Sequence, residues 1–225
     1  MDVSYFFNSR LHFIRQFYDT ASAPYVERKR KIEAEEEPFV PPYSEDAEPA
    51  FLSEWTEADE SLHVLAYSCV SMLAAALHLY LKSWVSESGV PVDEALKKSF
   101  GKIGWFPGYR THYSQRFAIN FETCPEDLRL LEEVVLARNR FQHPPSITSI
   151  RANYADADLK KLPHPFFVDE REAALLFEDA EEGERTWFFP PTLHVTEEKV
   201  LAAIAVVEGF GKWFGAEIEN RLYAQ

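Results

Sequence analysis

Between Thr56 and Trp84 the chain repeats apolar residues every three or four positions: Leu62, Leu65, Ala66, Cys69, Leu73, Ala76, Leu77, Tyr80 and Trp84. That period gathers them on one broad stripe of an α-helix. A helix of about thirty residues is roughly 45 Å long, and only other long helices cover a stripe of that length well. The fold expected is therefore all-α, a helical bundle. "TEAD" at its start reads as a capping box, with Thr56 as N-cap and Asp59 reaching back. Gly89 and Pro91 end the helix. His63 and His78 lie on it without partners at metal-ligand spacing and read as helix-surface or core histidines.

The rest of the chain supplies the covering helices. Phe7, Leu11, Ile14 and Tyr18 predict a helix from Asp2, its N-cap, to about Glu36, kinked or divided at Pro24. Glu27 stands four residues before Lys31, the spacing of an intrahelical ion pair. A short helix is expected near Val92 to Phe100, ending at Gly101. The glycine- and aromatic-rich stretch that follows, "GKIGWFPGYRTHYSQRFAINFE", reads as a packed Ω-type loop. "TCPE" reads as a second capping box, with Thr123 as N-cap, opening a helix whose inner face is Leu128, Leu131, Val134, Val135 and Phe141. "AALLFEDAEEGERTWFF" reads as a β-hairpin around an acidic turn. Thr196 caps a last helix with a Val195–Val200 staple and a stripe from Val200 through Ile204, Val207, Phe214 and Ile218 to Leu222. One domain over residues 1–225 is expected. It comprises an N-terminal helix and acidic linker (1–55), a motif-bearing core (56–145), a loop and hairpin elaboration (146–195) and a final helix (196–225).

Composition narrows the class. With 46% hydrophobic and 15% aromatic residues, the 225-residue chain has ample material for a core. The most apolar run, "CVSMLAAALHLYL", is broken by Ser71 and His78, so no membrane span is expected. "MDVSYFFNSR" lacks the order of a signal peptide. Cys69 and Cys124 form neither metal spacing nor a disulfide framework, which suits the cytoplasm. A net charge of −14 argues against a protein coated in nucleic acid. Yet the charge is uneven. Glu33 to Glu60 holds eleven acids and no Lys or Arg, whereas Gly101–Phe121 and Arg138–Tyr154 hold Lys102, Arg110, Arg116, Arg138, Arg140 and Arg151 with no acid. Such islands suit a solvated face as well as an anionic ligand. Arg110, His112 and Arg116 are the candidates for meeting that ligand.

"LARNRFQHPP", Leu136 to Pro145, follows the first island and runs into the second. On an unbroken helix Arg138 and His143 would point about 140° apart. Pro144 disfavours helical geometry at His143, so the helix should stop by about Gln142 and free the imidazole to fold back toward Arg138. Histidine exchanges its proton near neutral pH, as general acid–base work requires. The same residues serve equally well as a polar helix terminus, with Arg138 pairing a carboxylate and Asn139 capping carbonyls.

"LARNRFQHP" resembles the Arg-polar-x3-His signature of HEPN domains (higher eukaryotes and prokaryotes nucleotide-binding), with Arg138, Asn139 and His143 in the signature places. The resemblance extends over Thr56 to Pro144 and the last helix, and only the signature is specific. It implies a bundle of four or five helices, frequently dimeric. It also implies metal-independent ribonuclease activity of the kind found in toxin–antitoxin and defence systems. In such an enzyme His143 takes a ribose 2′-hydroxyl proton, Arg138 steadies the phosphoryl charge and Asn139 orients either group; Arg140, Arg110, Arg116 and His112 would bind substrate. RNA, a second copy of the chain and an antitoxin or other protein are the partners implied; no membrane, metal or cofactor is. Other members of the superfamily are inactive binding modules, and that alternative stands beside the nuclease. An ordinary hydrolase finds no G-x-S-x-G, P-loop or HExxH here.

Overall fold

Four long helices form the frame of the computed structural model, which describes residues 2–43, 49–143, 146, 151–176 and 188–223. They are α1 (Val3–Glu33), α2 (Leu52–Ser88), α5 (Leu128–Gln142) and α8 (Glu197–Tyr223). α1 packs on α2, α2 on α5, α5 on α8 and α8 on α1, a closed ring of neighbours, with α2 also touching α8. A short pair, α3 (Glu94–Ile103) and α4 (Trp105–Phe117), lies against α2 and α5. Two small helices, α6 (Asp156–Leu159) and α7 (Glu170–Leu176), punctuate the connection to α8. Most described residues are helical and none of them forms a strand; one antiparallel bridge joins Asn153 and Thr192. The all-α expectation holds.

Several boundaries differ from the sequence reading, each for a local reason. α1 runs unbroken past Pro24, with Asp2 capping it through a 2.8 Å hydrogen bond from the Tyr5 N–H. Glu27 pairs with Arg30 instead of Lys31, and Arg30 also grips Glu36. α2 begins four residues before Thr56, at a left-handed Phe51. Lys29, 2.6 Å away on α1, claims the Asp59 carboxylate that the capping box required. α3 continues through Gly101 to a turn at Gly104. The stretch read as an Ω-type loop is mostly helix α4. Gly104, at φ 89°, makes the turn into it, Pro107 sits harmlessly in its first turn, and Phe106, Tyr109 and Tyr113 are buried at helical spacing. Thr123 closes a short 3₁₀ turn, and Asp127 caps α5 by accepting from the Arg129 and Leu130 N–H groups. The first strand of the expected hairpin is helix α7 instead; its turn, residues 177–187, lies outside the described residues. Thr196 does cap α8, accepting from the Lys199 N–H.

The core joins aromatic rings from α1, α2, α4 and α8. Phe7 of α1 stacks on Tyr80 of α2 at 4.1 Å, and the Tyr80 hydroxyl donates to the Gly211 carbonyl of α8. Phe210 and Phe214 of α8 are fully buried beside Tyr113 and Phe106. Burying each such ring stabilises the fold by roughly 1.5–3 kcal/mol. Gly211 is glycine because a Cβ there would overlap the Phe7 ring. Gly211→Ala is expected to destabilise the protein by about 1–3 kcal/mol, read as a lower urea midpoint with unchanged m-value.

α2 is apolar beyond what covering helices require. By length and composition it is able to cross a membrane: its most apolar window has a mean hydropathy of 1.8, and 56% of that window is buried inside the bundle. The expectation that no segment reaches that threshold is therefore corrected.

Buried histidines make stability depend on pH. His63 and His194 lie edge to face, 5.1 Å between centroids, and His112 is buried in α4. Burial holds His63, His78, His112 and His194 below the ordinary imidazole value. The unfolded chain, whose imidazoles titrate near about 6.5, binds more protons than the folded one below that pH. These four groups contribute their full stability above about pH 6.5 and lose it as pH falls through the folded values. The urea midpoint is expected to be flat from about pH 8 to 7 and to drop between about pH 6.5 and 5. A midpoint constant across that lower range would contradict the burial of these rings.

Candidate functional site

Along α5, residues 132, 135, 136, 139 and 140 recur at intervals of three and one, a single face by helical geometry, and His143 follows just past the helix end. That face forms one wall of an open cavity of about 390 Å³. The α3–α4 turn forms a second wall with Gly101, Lys102, Gly104, Phe106 and Pro107, and the segment after α6 closes it with Asp158, Lys161 and Leu162. The cavity lining mixes apolar side chains, Ile103, Phe106, Pro107, Val135, Leu136 and Leu162, with the polar Lys102, Arg140, Lys161, Asn139 and His143 and the carboxylates Glu132 and Asp158.

The helix ends where the proline dictates, but the expected convergence of His143 and Arg138 on one cavity is not seen within a single chain. α5 stops at Gln142; His143 leaves helical geometry at φ −130° and ψ 62°, while its N–H still donates to the Asn139 carbonyl at 3.2 Å. The imidazole is exposed and lines the cavity with Asn139 and Arg140. Arg138 is not among the lining residues. Its guanidinium donates to the Asn139 side-chain oxygen at 2.9 Å, and its charge, after burial and Lys82, helps hold His78 of α2 below the ordinary imidazole value. One chain thus gathers His143, Asn139 and Arg140 in the cavity and leaves Arg138 on the adjoining face, joined through Asn139.

Two carboxylates fix the cations. Asp158, nearly buried, accepts from Arg140 Nε at 2.7 Å and from the Ala155 N–H at 2.9 Å, which aims Arg140 along the cavity wall. Glu132 accepts from Arg110 at 2.9 Å, and Arg110 also lies over the Phe106 and Phe121 rings. Arg110 is therefore a wall brace whose charge is already matched. His112 is 1% exposed, with Nε2 buried and unpartnered among the described residues, so it cannot meet a substrate. Arg116 is exposed but lines none of the cavity. The expectation that these three meet one anionic ligand is corrected, because the stretch coils into α4 and spreads them round it.

Sequence reading missed Lys161 and Asp158 and named Lys102 only as part of a basic island. The approach of 158–162 to α5 had no local signal. It is set by Glu133, an acid on the inner face of α5 between Leu130 and Val134. Only 2% exposed, it accepts from the Tyr154 hydroxyl and from the Phe166 and Phe167 N–H groups at 2.9 and 2.8 Å. Among the described residues, no group of three or more His, Cys, Asp or Glu side chains is arranged to hold a metal ion. Comparisons with protein-family models, with curated proteins and with solved structures gave no match.

Proposed function

We propose that the chain is a HEPN-type endoribonuclease that works as a homodimer and cleaves RNA by attack of a 2′-hydroxyl on the neighbouring phosphodiester. The observation that carries this reading is the proline-stopped end of α5, which delivers His143 beside Asn139 and Arg140 in a cavity also lined by Lys102 and Lys161. His143 takes the 2′-hydroxyl proton, and the new O2′–P bond expels the 5′-oxygen, leaving a 2′,3′-cyclic phosphate. Arg138 of the partner subunit completes the charge stabilisation that a single cavity lacks, and His143 of the partner subunit protonates the leaving oxygen. In this reading the protein acts in the cytoplasm as a toxin or defence effector, restrained by an antitoxin or other protein partner. Incubating the full chain with a mixed RNA pool in EDTA tests it: fragments are expected, and an intact pool with folded protein counts against it.

A second reading is favoured by the position of Arg138 outside the cavity. A non-catalytic module would bind a nucleotide phosphate through Arg140, Lys102 and Lys161, its base resting against the apolar lining residues such as Phe106 and Leu136. Calorimetry with nucleoside monophosphates separates the two, since saturable binding without RNA turnover supports the module.

A further inference from the structure

From Ser61 to Leu81, α2 holds no Asp, Glu, Lys or Arg. Its outward stripe runs from the exposed Glu57 through Val64, Ser68, Ser71 and Ala75 to the exposed Lys82. These positions mirror one another about the midpoint between Ser68 and Ser71. We infer that this stripe is the surface on which two copies of the chain pack, α2 against α2, antiparallel about a two-fold axis. This deepens the nuclease reading and rests on it only for its purpose.

The mirror makes the stripe self-complementary, as an isologous contact requires. Val64 falls opposite the small Ala75, Ser68 opposite Ser71, and Glu57 opposite Lys82. The hydroxyl of Ser68 donates to the Val64 carbonyl at 2.8 Å, so its polarity is spent within the helix and the surface stays low for close approach. On one side α1 borders the stripe. Phe6 and Arg10 share a groove with Leu79 and Ser83, and Phe6, Phe13 and Phe17 are 54%, 58% and 38% exposed. A phenylalanine offers about 150–250 Å², so these three alone leave on the order of 300 Å² uncovered. With the exposed parts of α2, the face approaches the roughly 800 Å² per partner of a standard dimer. A lipid surface suits it less, because serines interrupt the stripe and charges of opposite sign close its two ends.

On the other side lies the candidate site. Phe141 of α5 stacks on Tyr67 of α2 at 3.9 Å, while Arg138 acts on His78, so α5 runs antiparallel to α2. Arg138 is therefore level with the middle of the stripe. A two-fold axis between Ser68 and Ser71 leaves Arg138 of both chains at one level, five residues or roughly 7.5 Å along the helix direction from His143 of either chain. At that level the second copy supplies the guanidinium that one cavity lacks.

Sedimentation velocity on the full chain tests the interface. A dimer is expected, with Ala75→Lys weakening it about a hundredfold and circular dichroism unchanged. Glu57→Lys and Lys82→Glu should each weaken it about tenfold, and the double variant should restore it; this rescue does not depend on how Ala75→Lys folds. A monomeric wild type, unchanged association of the folded variants, or absence of rescue overturns the interface. So does binding to phosphatidylcholine vesicles that Ala75→Lys abolishes. RNA cleavage measured alongside separates the two ideas: an active monomer sinks the interface alone, and an inert dimer with the predicted rescue sinks the nuclease alone.

Discussion

Glu133→Ala is expected to lower stability by about 3–5 kcal/mol, the largest effect of any single truncation considered, because it leaves two buried donors and a partly buried one unpaired at once. The Glu133 carboxylate lies inside α5 and holds the Tyr154 hydroxyl and the Phe166 and Phe167 N–H groups. Burial raises its pKa above the ordinary carboxylate value, opposed by those three hydrogen bonds and by Lys199. The Tyr154 hydroxyl and the Phe167 N–H are buried and lose their acceptor without gaining water, while the Phe166 N–H is only partly buried. Glu133→Gln keeps the shape and one acceptor oxygen but turns an amide toward an N–H, so a smaller loss of about 1–3 kcal/mol is expected. Urea unfolding followed by circular dichroism decides the matter; an alanine variant within about 1 kcal/mol of wild type would show that the clamp contributes little. The same clamp draws residues 154–167 against α5, and with them Asp158, Lys161 and Leu162 of the cavity wall. Ligand binding should weaken even at temperatures where the variant stays folded.

His143→Ala is expected to reduce RNA cleavage by about 10²–10⁴-fold while leaving stability within about 0.5 kcal/mol of wild type. The contrast follows from placement. His143 is exposed just beyond the last turn of α5, so its ring adds little to the core, yet it is the one imidazole in the cavity. Arg138→Ala should cost about 10²–10³-fold, the effect of removing a donor aimed at developing phosphoryl charge. If each site takes His143 from one chain and Arg138 from the other, mixing the two inactive variants restores a fraction of the activity. One of the two sites in a mixed dimer then keeps Arg138 and the base His143 and lacks only the partner's leaving-group acid, so the recovered activity is partial but above that of either variant alone. A merely structural role for either side chain predicts no such recovery.

Helical periodicity made the frame legible. The stripes that begin at Phe7, Leu62 and Val200 each became a buried helix face, and Pro144 marked the end of α5 because its constraint on the preceding residue is local. Where reading failed, a distant partner had overruled a local signal. Thr56 lost its capping role when Lys29 took Asp59, and the glycines around Trp105 hid a helix that Phe106, Tyr109 and Tyr113 stabilise through burial. The site was half legible. His143, Asn139 and Arg140 came from one motif, but Lys102, Lys161 and Asp158 reach the cavity through tertiary contacts anchored at Glu133. Arg138 faces α2 because of the helical angle that the sequence already contained, and Pro144 redirects only the residue before it.

The central claim is that the end of α5 uses a ribose 2′-hydroxyl as nucleophile. Mass spectrometry of the fragments from an all-RNA oligonucleotide, beside the same strand with 2′-deoxy substitution throughout, measures this directly. The account predicts 2′,3′-cyclic phosphate ends from the RNA in EDTA, none with His143→Ala, and an uncut deoxy strand. Cleavage of the deoxy strand, or fragments that persist undiminished in His143→Ala, would contradict it.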